Sequence, residues 1–395
     1  ILMKDDRSRV GGVRKVNDAY AGALLADEIL TPGERQVRAL FVTGGNPLLT
    51  MANAGRLRRA FQDELELLVC LDIQMSETAS VATHVLPCTS PLQRPDLPFI
   101  FPLMLGLQRR PYLQATRPVV PPDGEQRDEA TIYLDLAKAC GTPLFGSRVA
   151  QGLLELGRGM KGDGTVPQEA LLSLLLRVTG QGSFRALLRD APHGRLRDDH
   201  ADADFLGKRV YTDDGKVHLA PEALVADARR RLDEAFAWET AHRDRLRLIT
   251  KRQVTTHNSW THNIDDFVDG HGGTNHLYMH PKDAAARGLQ AGDLVDVSSR
   301  TATVRVPLRL TADLFPGAVA LPHGWGHQGA KGQRTASRTR GVNANLLAAD
   351  GPDAIEPETG MAHLTGIPVD VRPASGPQAV DDWSGIPQSS SPAAE

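Results

Sequence analysis

Along the chain the spacing of apolar residues changes character twice. Leu40-Phe41-Val42-Thr43 is a short apolar run that ends at the turn Gly44-Gly45-Asn46-Pro47 and predicts a strand followed by a loop. Ala54 to Gln62 has helical spacing. Leu65 to Asp72 is continuously apolar, as expected of a strand covered on both faces. Ser76 and Thr78 open a short helix, and His84-Val85-Leu86 makes a third strand that Pro87 stops. Strand, helix, strand, helix, strand implies a parallel sheet with right-handed crossovers. Prolines from Pro91 to Pro122 predict an irregular wrapping segment. Gln126 to Ala139 then reads as a return helix with Ile132, Leu136 and Ala139 on one face and Gly141 past its end.

Between Gly146 and Arg245 the pattern is amphipathic, notably over Gln168 to Arg177 and Pro221 to Ala237, with Gly-rich and Asp-rich breaks. At Leu246 the period shortens. Leu246 to Thr250, Leu294 to Val297, Thr301 to Leu310 and Ala318 to Leu321 read as strands. Ala302, Val304, Val306, Leu308 and Leu310 all fall on one side, which fits a small β-barrel. Pro281 to Arg287 predicts a helix with proline in its first turn and Gly288 after its end. The predicted organisation is an α/β domain over 1–145, a helical and loop region over 146–245, a barrel over 246–372 and a Pro- and Ser-rich disordered tail over 373–395.

Composition narrows the functional classes. A chain of 395 residues exceeds what one core usually organises, and 41% hydrophobic with 24% charged residues is ordinary for a globular protein. No apolar run is long enough to span a bilayer, so no membrane insertion is expected. With 45 basic against 48 acidic residues, no general attraction to nucleic acid is expected. Cys70, Cys88 and Cys140 form no C-x-x-C pair, so neither a zinc knuckle nor an iron-sulfur cluster follows from spacing. Buried thiols in a reducing, cytoplasmic compartment are the expectation, an export signal upstream of Ile1 being the alternative.

Three groups carry candidate chemistry. Gly44, Gly45 and Asn46 lie at the carboxyl end of a strand, with Asp72 ending the next strand and Thr78 following. Glycine amides there can approach a phosphate, and an Asp can accept from a ribose or purine; a tight turn beside an ordinary strand-terminal Asp explains the residues equally well. Thr250, Thr255, Thr256, His257, Asn258, Ser259 and His262 crowd a loop after a strand. These short donors suit a phosphate or polar heterocycle, or else a hydrated loop held by its own side-chain turns. The third is Pro322-His323-Gly324-Trp325-Gly326-His327, leading to Asn343-Ala344-Asn345. His323 and His327 are spaced like zinc ligands, with His257, His262, His271, His276 and His280 upstream, but no cysteine or paired carboxylate completes a tetrahedral set. The glycines flanking Trp325 suggest a backbone passing close to a flat ligand. No nucleophile elbow, Walker loop or G-x-G-x-x-G occurs.

Taken in order, these phrases resemble the molybdopterin oxidoreductases of the formate dehydrogenase and nitrate reductase type. Gly44-Gly45-Asn46-Pro47, Asp72 with Ser76-Glu77-Thr78-Ala79, and His84-Val85-Leu86-Pro87 resemble that family's G-x-N-P, D-x-x-x-T-E-T-A and A-D-x-x-L-P phrases. His280-Pro281-Lys282-Asp283, Gly288-Leu289-Gln290-Ala291-Gly292-Asp293, Pro316-Gly317, Pro322 to His327 and Asn343 to Leu346 resemble its dinucleotide-binding domain. The resemblance implies a Rossmann-like parallel α/β domain followed by a double-psi β-barrel. It further implies bis-molybdopterin guanine dinucleotide with molybdenum or tungsten as cofactor.

On the same ground, Asn46, Leu71, Asp72 and Glu129 would hold a guanine nucleotide. Thr250 to Ser259 would touch pyrophosphate and pterin, Asn345 would support the pterin, Trp325 would face the substrate funnel, and His363 to Gly366 would form a further contact region. His323 or His327 would relay protons there as the catalytic candidates. The four-cysteine motif for a [4Fe-4S] cluster and the metal-ligating residue of the family are not among these 395 residues, and Pro91-Leu92-Gln93-Arg94-Pro95-Asp96 replaces its E-G-x-x-x-N-x-E-G-R stretch. The expectation is therefore the carboxy-terminal, cofactor-holding part of such an enzyme, inactive alone, with the rest of the oxidoreductase and an electron-transfer protein as partners. A non-catalytic scaffold or a separate cofactor-binding subunit of a redox complex is the alternative.

Overall fold

The computed structural model describes residues 6–16, 18–97, 112–196, 210, 212–254, 256–356 and 358–375. It divides into two compact units, one made of 1–86 with 239–395 and the other of 87–238.

In the first unit, α1 (Leu25–Leu30) precedes β1 (Ala39–Thr43), α2 (Pro47–Thr50) and α3 (Ala54–Arg59); then come β2 (Leu67–Asp72), α4 (Glu77–Val81) and β3 (His84–Pro87). The strands form a three-stranded sheet in that order, with β1 and β2 parallel from Ala39↔Leu67 to Thr43↔Leu71. The continuous apolar run became β2, whose Leu68, Val69, Cys70 and Leu71 are all buried, whereas the edge strand β1 buries only Val42. The helix predicted over Ala54 to Gln62 stays α-helical only to Arg59 and then widens into a π turn over Ala60–Glu64. Ser76 caps α4 as its residue type predicts, its hydroxyl accepting from the Ala79 amide.

The same unit holds β6 (Leu246–Lys251), β7 (Leu277–Met279), β8 (Leu294–Ser298), β9 (Thr303–Leu310), β10 (Ala318–Pro322) and β11 (Ile367–Pro373), a closed barrel in the order β10-β6-β11-β8-β9-β7. The alternation read in β9 is real. Val304, Val306 and Leu308 point into the barrel, and outward-facing Arg305 pairs with Asp296 of β8 at 2.6 Å. Two barrel strands escaped the sequence reading. β7 has only three residues, and β11 carries Pro368 and Pro373 among the inward Ile367, Val369 and Val371. The helix over Pro281–Ala285 is shorter than predicted but keeps its first-turn proline.

Within the first unit the sheet is tied to the barrel segment. Arg56 of α3 reaches Asp27 at 2.6 Å and Asp350 at 2.7 Å, while Asn343 and Asn345 donate to the Leu48 and Leu49 carbonyls at 3.2 and 2.8 Å.

The second unit is mainly helical, with helices Glu129–Ala139, Arg148–Lys161, Gln168–Val178 and Phe184–Asp190, and with β4 (Tyr112–Leu113) pairing antiparallel with β5 (Arg195–Leu196). The return helix starts three residues later than predicted, because Asp128 caps it through the Thr131 amide at 2.9 Å. Its buried face is Thr131, Ile132 and Leu134, with Leu136 half-buried; Ala139, predicted to face inward, is exposed in the last turn. Cys140, at the helix end, is exposed too, while Cys70 and Cys88 are buried; burial pushes the Cys70 thiol up to about 12. Among the described residues no helix is long and apolar enough to cross a membrane. The predicted disordered tail lies, from 376 on, outside the described residues.

Candidate functional site

The chemistry gathers at the carboxyl end of the parallel sheet. Gly44, immediately after β1, has φ +59° and donates its amide to the Leu71 carbonyl at 2.8 Å, so the loop turns back over the end of β2. Among the described residues no acceptor takes the Gly45 or Asn46 amide, and a Cβ built on Gly44 would meet nothing within 4 Å. The Asn46 side chain is engaged inside the protein through both of its polar atoms. Its Oδ1 accepts from the Thr78 amide at 3.2 Å and hydroxyl at 2.9 Å, and its Nδ2 donates to Glu77 Oε2 at 2.6 Å. The Thr78 hydroxyl also accepts from the Leu48 amide at 3.2 Å, so buried Thr78 braces the loop.

Asp72 ends β2. One carboxylate oxygen accepts from the Ile73 and Gln74 amides at 2.7 and 3.3 Å; the other has only Ser76 Oγ at 3.4 Å. Burial pushes its carboxyl above the ordinary value of 3.8, with the three hydrogen bonds opposing.

A crevice of about 40 Å³ joins Gly44, Gly45, Asn46, Asp72, Gln74 and Ser76 to Ser259, Trp260, His327 and Gln333. The structure thus brings the glycine-asparagine loop, one residue of the polar loop after β6, and one of the two candidate histidines to a single place. Gln74, Trp260 and Gln333 were not picked out from sequence, and Glu77 appeared there only as part of a phrase, with no role given to it.

The other candidates are placed elsewhere. Thr250 donates to the Leu364 carbonyl at 2.8 Å, within the 363–366 stretch, and buried Thr256 donates to the Gln253 carbonyl at 3.1 Å; Thr255 lies outside the described residues. His257 and Asn258 are exposed with φ +45° and +60°, so that part of the loop is a left-handed turn. Half-buried His323 does not line the crevice; burial and, behind it, the Arg252 charge hold its imidazole below the ordinary 6.5, so it is neutral at pH 7. Glu129 belongs to the second unit, where it pairs with Arg94. Asn345 is buried and serves as the link to Leu49 already described.

Two expectations are corrected. Trp325, expected to face a funnel, is fully buried; its Nε1–H donates to Gln253 at 2.9 Å and its ring meets that of His262 edge-on at 4.5 Å. Nor do its flanking glycines make room for a ligand. A Cβ on Gly324 would lie 1.9 Å from the Asn258 carbonyl oxygen, and one on Gly326 would lie 2.7 Å from the Asn343 amide nitrogen, so protein backbone passes there. Among the described residues no group of three or more His, Cys, Asp and Glu is placed to hold a metal.

With that geometry in view, the comparisons with known proteins are consistent. Residues 14–139 match the family model of molybdopterin oxidoreductases, and residues 246–365 match that of the molydopterin dinucleotide binding domain. The chain belongs to the molybdopterin oxidoreductase family. It is similar to trimethylamine-N-oxide reductase of Haemophilus influenzae, 24% identical over 84% of this chain and 42% of that one. It is also similar to acetylene hydratase of Syntrophotalea acetylenica, 24% identical over 92% of this chain and 48% of the relative. A stretch of 72 residues is 47% identical to formate dehydrogenase H of Escherichia coli, covering 18% of this chain and 10% of that one. The solved structure of acetylene hydratase from Pelobacter acetylenicus has the same fold, with a TM-score of 0.63 at 22% identity over 90% of this chain and 46% of that one. The chain spans less than half the length of these relatives.

The donor set fits one end of a dinucleotide. An Asp with a spare acceptor oxygen suits the adjacent N–H groups of guanine, and amides without acceptors beside a glycine with open space suit a phosphate. With a volume of about 40 Å³ the crevice holds water rather than a base, and Trp260, 51% exposed, is part of its lining.

Proposed function

We propose that this chain is the cofactor-holding, carboxy-terminal part of a bis-molybdopterin guanine dinucleotide oxidoreductase acting on a small substrate such as formate or nitrate. The observation that carries this reading is the crevice, in which Asp72 and the Gly44–Asn46 loop from one family-matched segment meet Ser259 and His327 from the other. In this reading Asp72 accepts from guanine, the Gly45 and Asn46 amides face phosphate, and Ser259 supplies a hydroxyl. The bound cofactor, carrying molybdenum or tungsten, supplies the two-electron redox chemistry for transfer of an oxygen atom or hydride equivalent. The protein's part is to bind, orient and shield it. The metal ligand and any [4Fe-4S] cluster belong to sequence outside these residues, since the relatives are more than twice as long as the part matched. We propose that the complete enzyme is cytoplasmic and passes electrons to a separate carrier, without nucleic acid or membrane insertion.

The test is metal and nucleotide analysis of this chain from a host that makes the cofactor, alone and joined to the remainder of the enzyme. Guanine nucleotide with molybdenum or tungsten in the joined form is the expected result. Neither in either form rejects the reading and favours a scaffold.

A further inference from the structure

We propose that Glu77 and His327 form a positioning pair that shares one buried proton and holds the two walls of the crevice in register. This rests on the reading of the crevice as a guanine nucleotide site. Both side chains are shut off from solvent, at 0% and 1% exposure. Every bond around them has only one possible sense. His327 Nε2 lies 2.9 Å from the Gly324 carbonyl, which can only accept, so Nε2 carries a hydrogen. Asn46 Oδ1 takes the Thr78 amide, which can only donate, so Asn46 Nδ2 is the donor to Glu77 Oε2. What is left is the 3.1 Å contact between His327 Nδ1 and Glu77 Oε1, which one proton must fill. Imidazolium with carboxylate, or neutral imidazole with carboxylic acid, both satisfy it and leave every other bond unchanged.

The pair spans 250 residues of sequence and lies in a continuous chain. Thr78 donates to Asn46, Asn46 to Glu77, and Glu77 meets His327, which is anchored on Gly324 and packed against the His262 ring at 4.9 Å. One end is the loop whose Gly45 and Asn46 amides lack an acceptor. The other is the barrel loop that Gln253, through Trp325, ties to the segment leading to Ser259 and Trp260. Neither Glu77 nor the buried face of His327 needs to touch a ligand. Their effect is to fix where Asn46, and with it the Gly44–Asn46 backbone, sits opposite Ser259.

The experiment compares the unaltered chain with Glu77→Leu and His327→Leu, which leave the facing polar atoms unmet, and with Glu77→Gln, whose amide can accept from Asn46 and donate to a neutral His327 Nδ1. Guanosine diphosphate affinity is measured by calorimetry, and hydrogen exchange is followed over residues 44–50. Leaving a buried hydrogen-bonding partner unmet should cost Glu77→Leu and His327→Leu about tenfold or more in affinity and speed exchange in the loop, while Glu77→Gln stays near the unaltered chain. Leucine variants with unchanged affinity and unchanged exchange overturn the pair, as does a Glu77→Gln variant no better than Glu77→Leu. If the unaltered chain fails to bind guanosine diphosphate, the nucleotide reading falls; the exchange data still decide whether the pair holds the loop.

Discussion

Two loops of the first unit, Gly44–Asn46 and Pro322–His327, look alike as sequence, each with two glycines and a polar residue after a strand. In three dimensions they are opposites. Around Gly44 there is open space on the side a Cβ would occupy; around Gly324 and Gly326 that space is already filled by the Asn258 carbonyl and the Asn343 amide. The first loop keeps backbone donors for something that is not protein, and the second uses glycine to let two protein segments touch. Glycine density therefore signals close approach without saying what approaches.

The largest expected effect follows from that contrast. Alanine at Gly324 must accept φ +88° and displace backbone, so its cost combines about 1–2 kcal/mol of left-handed strain with about 1–3 kcal/mol of overpacking. Alanine at Gly44, at φ +59° with nothing to strike, carries the strain alone, about 1 kcal/mol. Denaturant midpoints should therefore fall several times further for Gly324→Ala than for Gly44→Ala. Guanosine diphosphate binding should suffer in Gly44→Ala beyond what its stability loss explains. Equal midpoint shifts would dissolve the distinction between the two loops.

Asp72 sharpens the comparison at intermediate scale. Burial raises its pKa above 3.8, so the folded state binds the proton more tightly than the unfolded chain. The stabilisation from the protonated form is therefore complete below about 3.8 and is lost as pH rises from there through the raised folded value. At pH 7 the charged carboxylate is a burden on folding that Asn does not carry. Asp72→Asn should leave stability unchanged or slightly higher. It should weaken guanosine diphosphate binding by about 1.5–3 kcal/mol, since a charged acceptor is lost. In the unaltered chain affinity should fall on acidification, with an inflection above 3.8 that disappears in Asp72→Asn. A parallel loss of stability and affinity at pH 7 would mark Asp72 as structural.

How much of this was legible in the sequence depended on how local the signal was. The barrel was readable from Val304, Val306 and Leu308, because a strand's alternation is set within the strand itself. β7 was too short to show a period, and the prolines of β11 hid inward residues that are spaced as regularly as those of β9. In the site, Gly44, Gly45, Asn46 and Asp72 were visible because a strand end, a turn and an acid lie within one stretch of chain. The pairing of Glu77 with His327 was not, since two residues 250 apart announce nothing locally. Trp325 was misplaced for a related reason. An aromatic residue in a glycine-rich segment looks ligand-facing until the segment packed against it is known, here Gly341 beside the indole. Asn275 carried no signal at all. It is fully buried and holds the loops together by donating to the Pro322 and Val342 carbonyls at 2.9 and 3.0 Å and accepting from the Val342 amide at 2.9 Å.

The smallest expected change in stability is at Trp260, and it tests whether the open loop is open for a purpose. With 51% of its surface exposed, its indole gives up little burial on removal, so Trp260→Ala should shift stability by no more than about 0.5 kcal/mol. Yet it is an exposed part of the lining of a crevice of about 40 Å³, smaller than a base, and the expectation is that the indole swings aside when a base enters. Truncation should therefore speed association of guanosine diphosphate, because the entrance no longer has to open. It should speed dissociation as well if the indole covers the bound base, and stopped-flow rates would separate the two. Unchanged rates in both directions would mean that ligands enter by another route, and that Trp260 lines the crevice only because the loop after β6 passes that way.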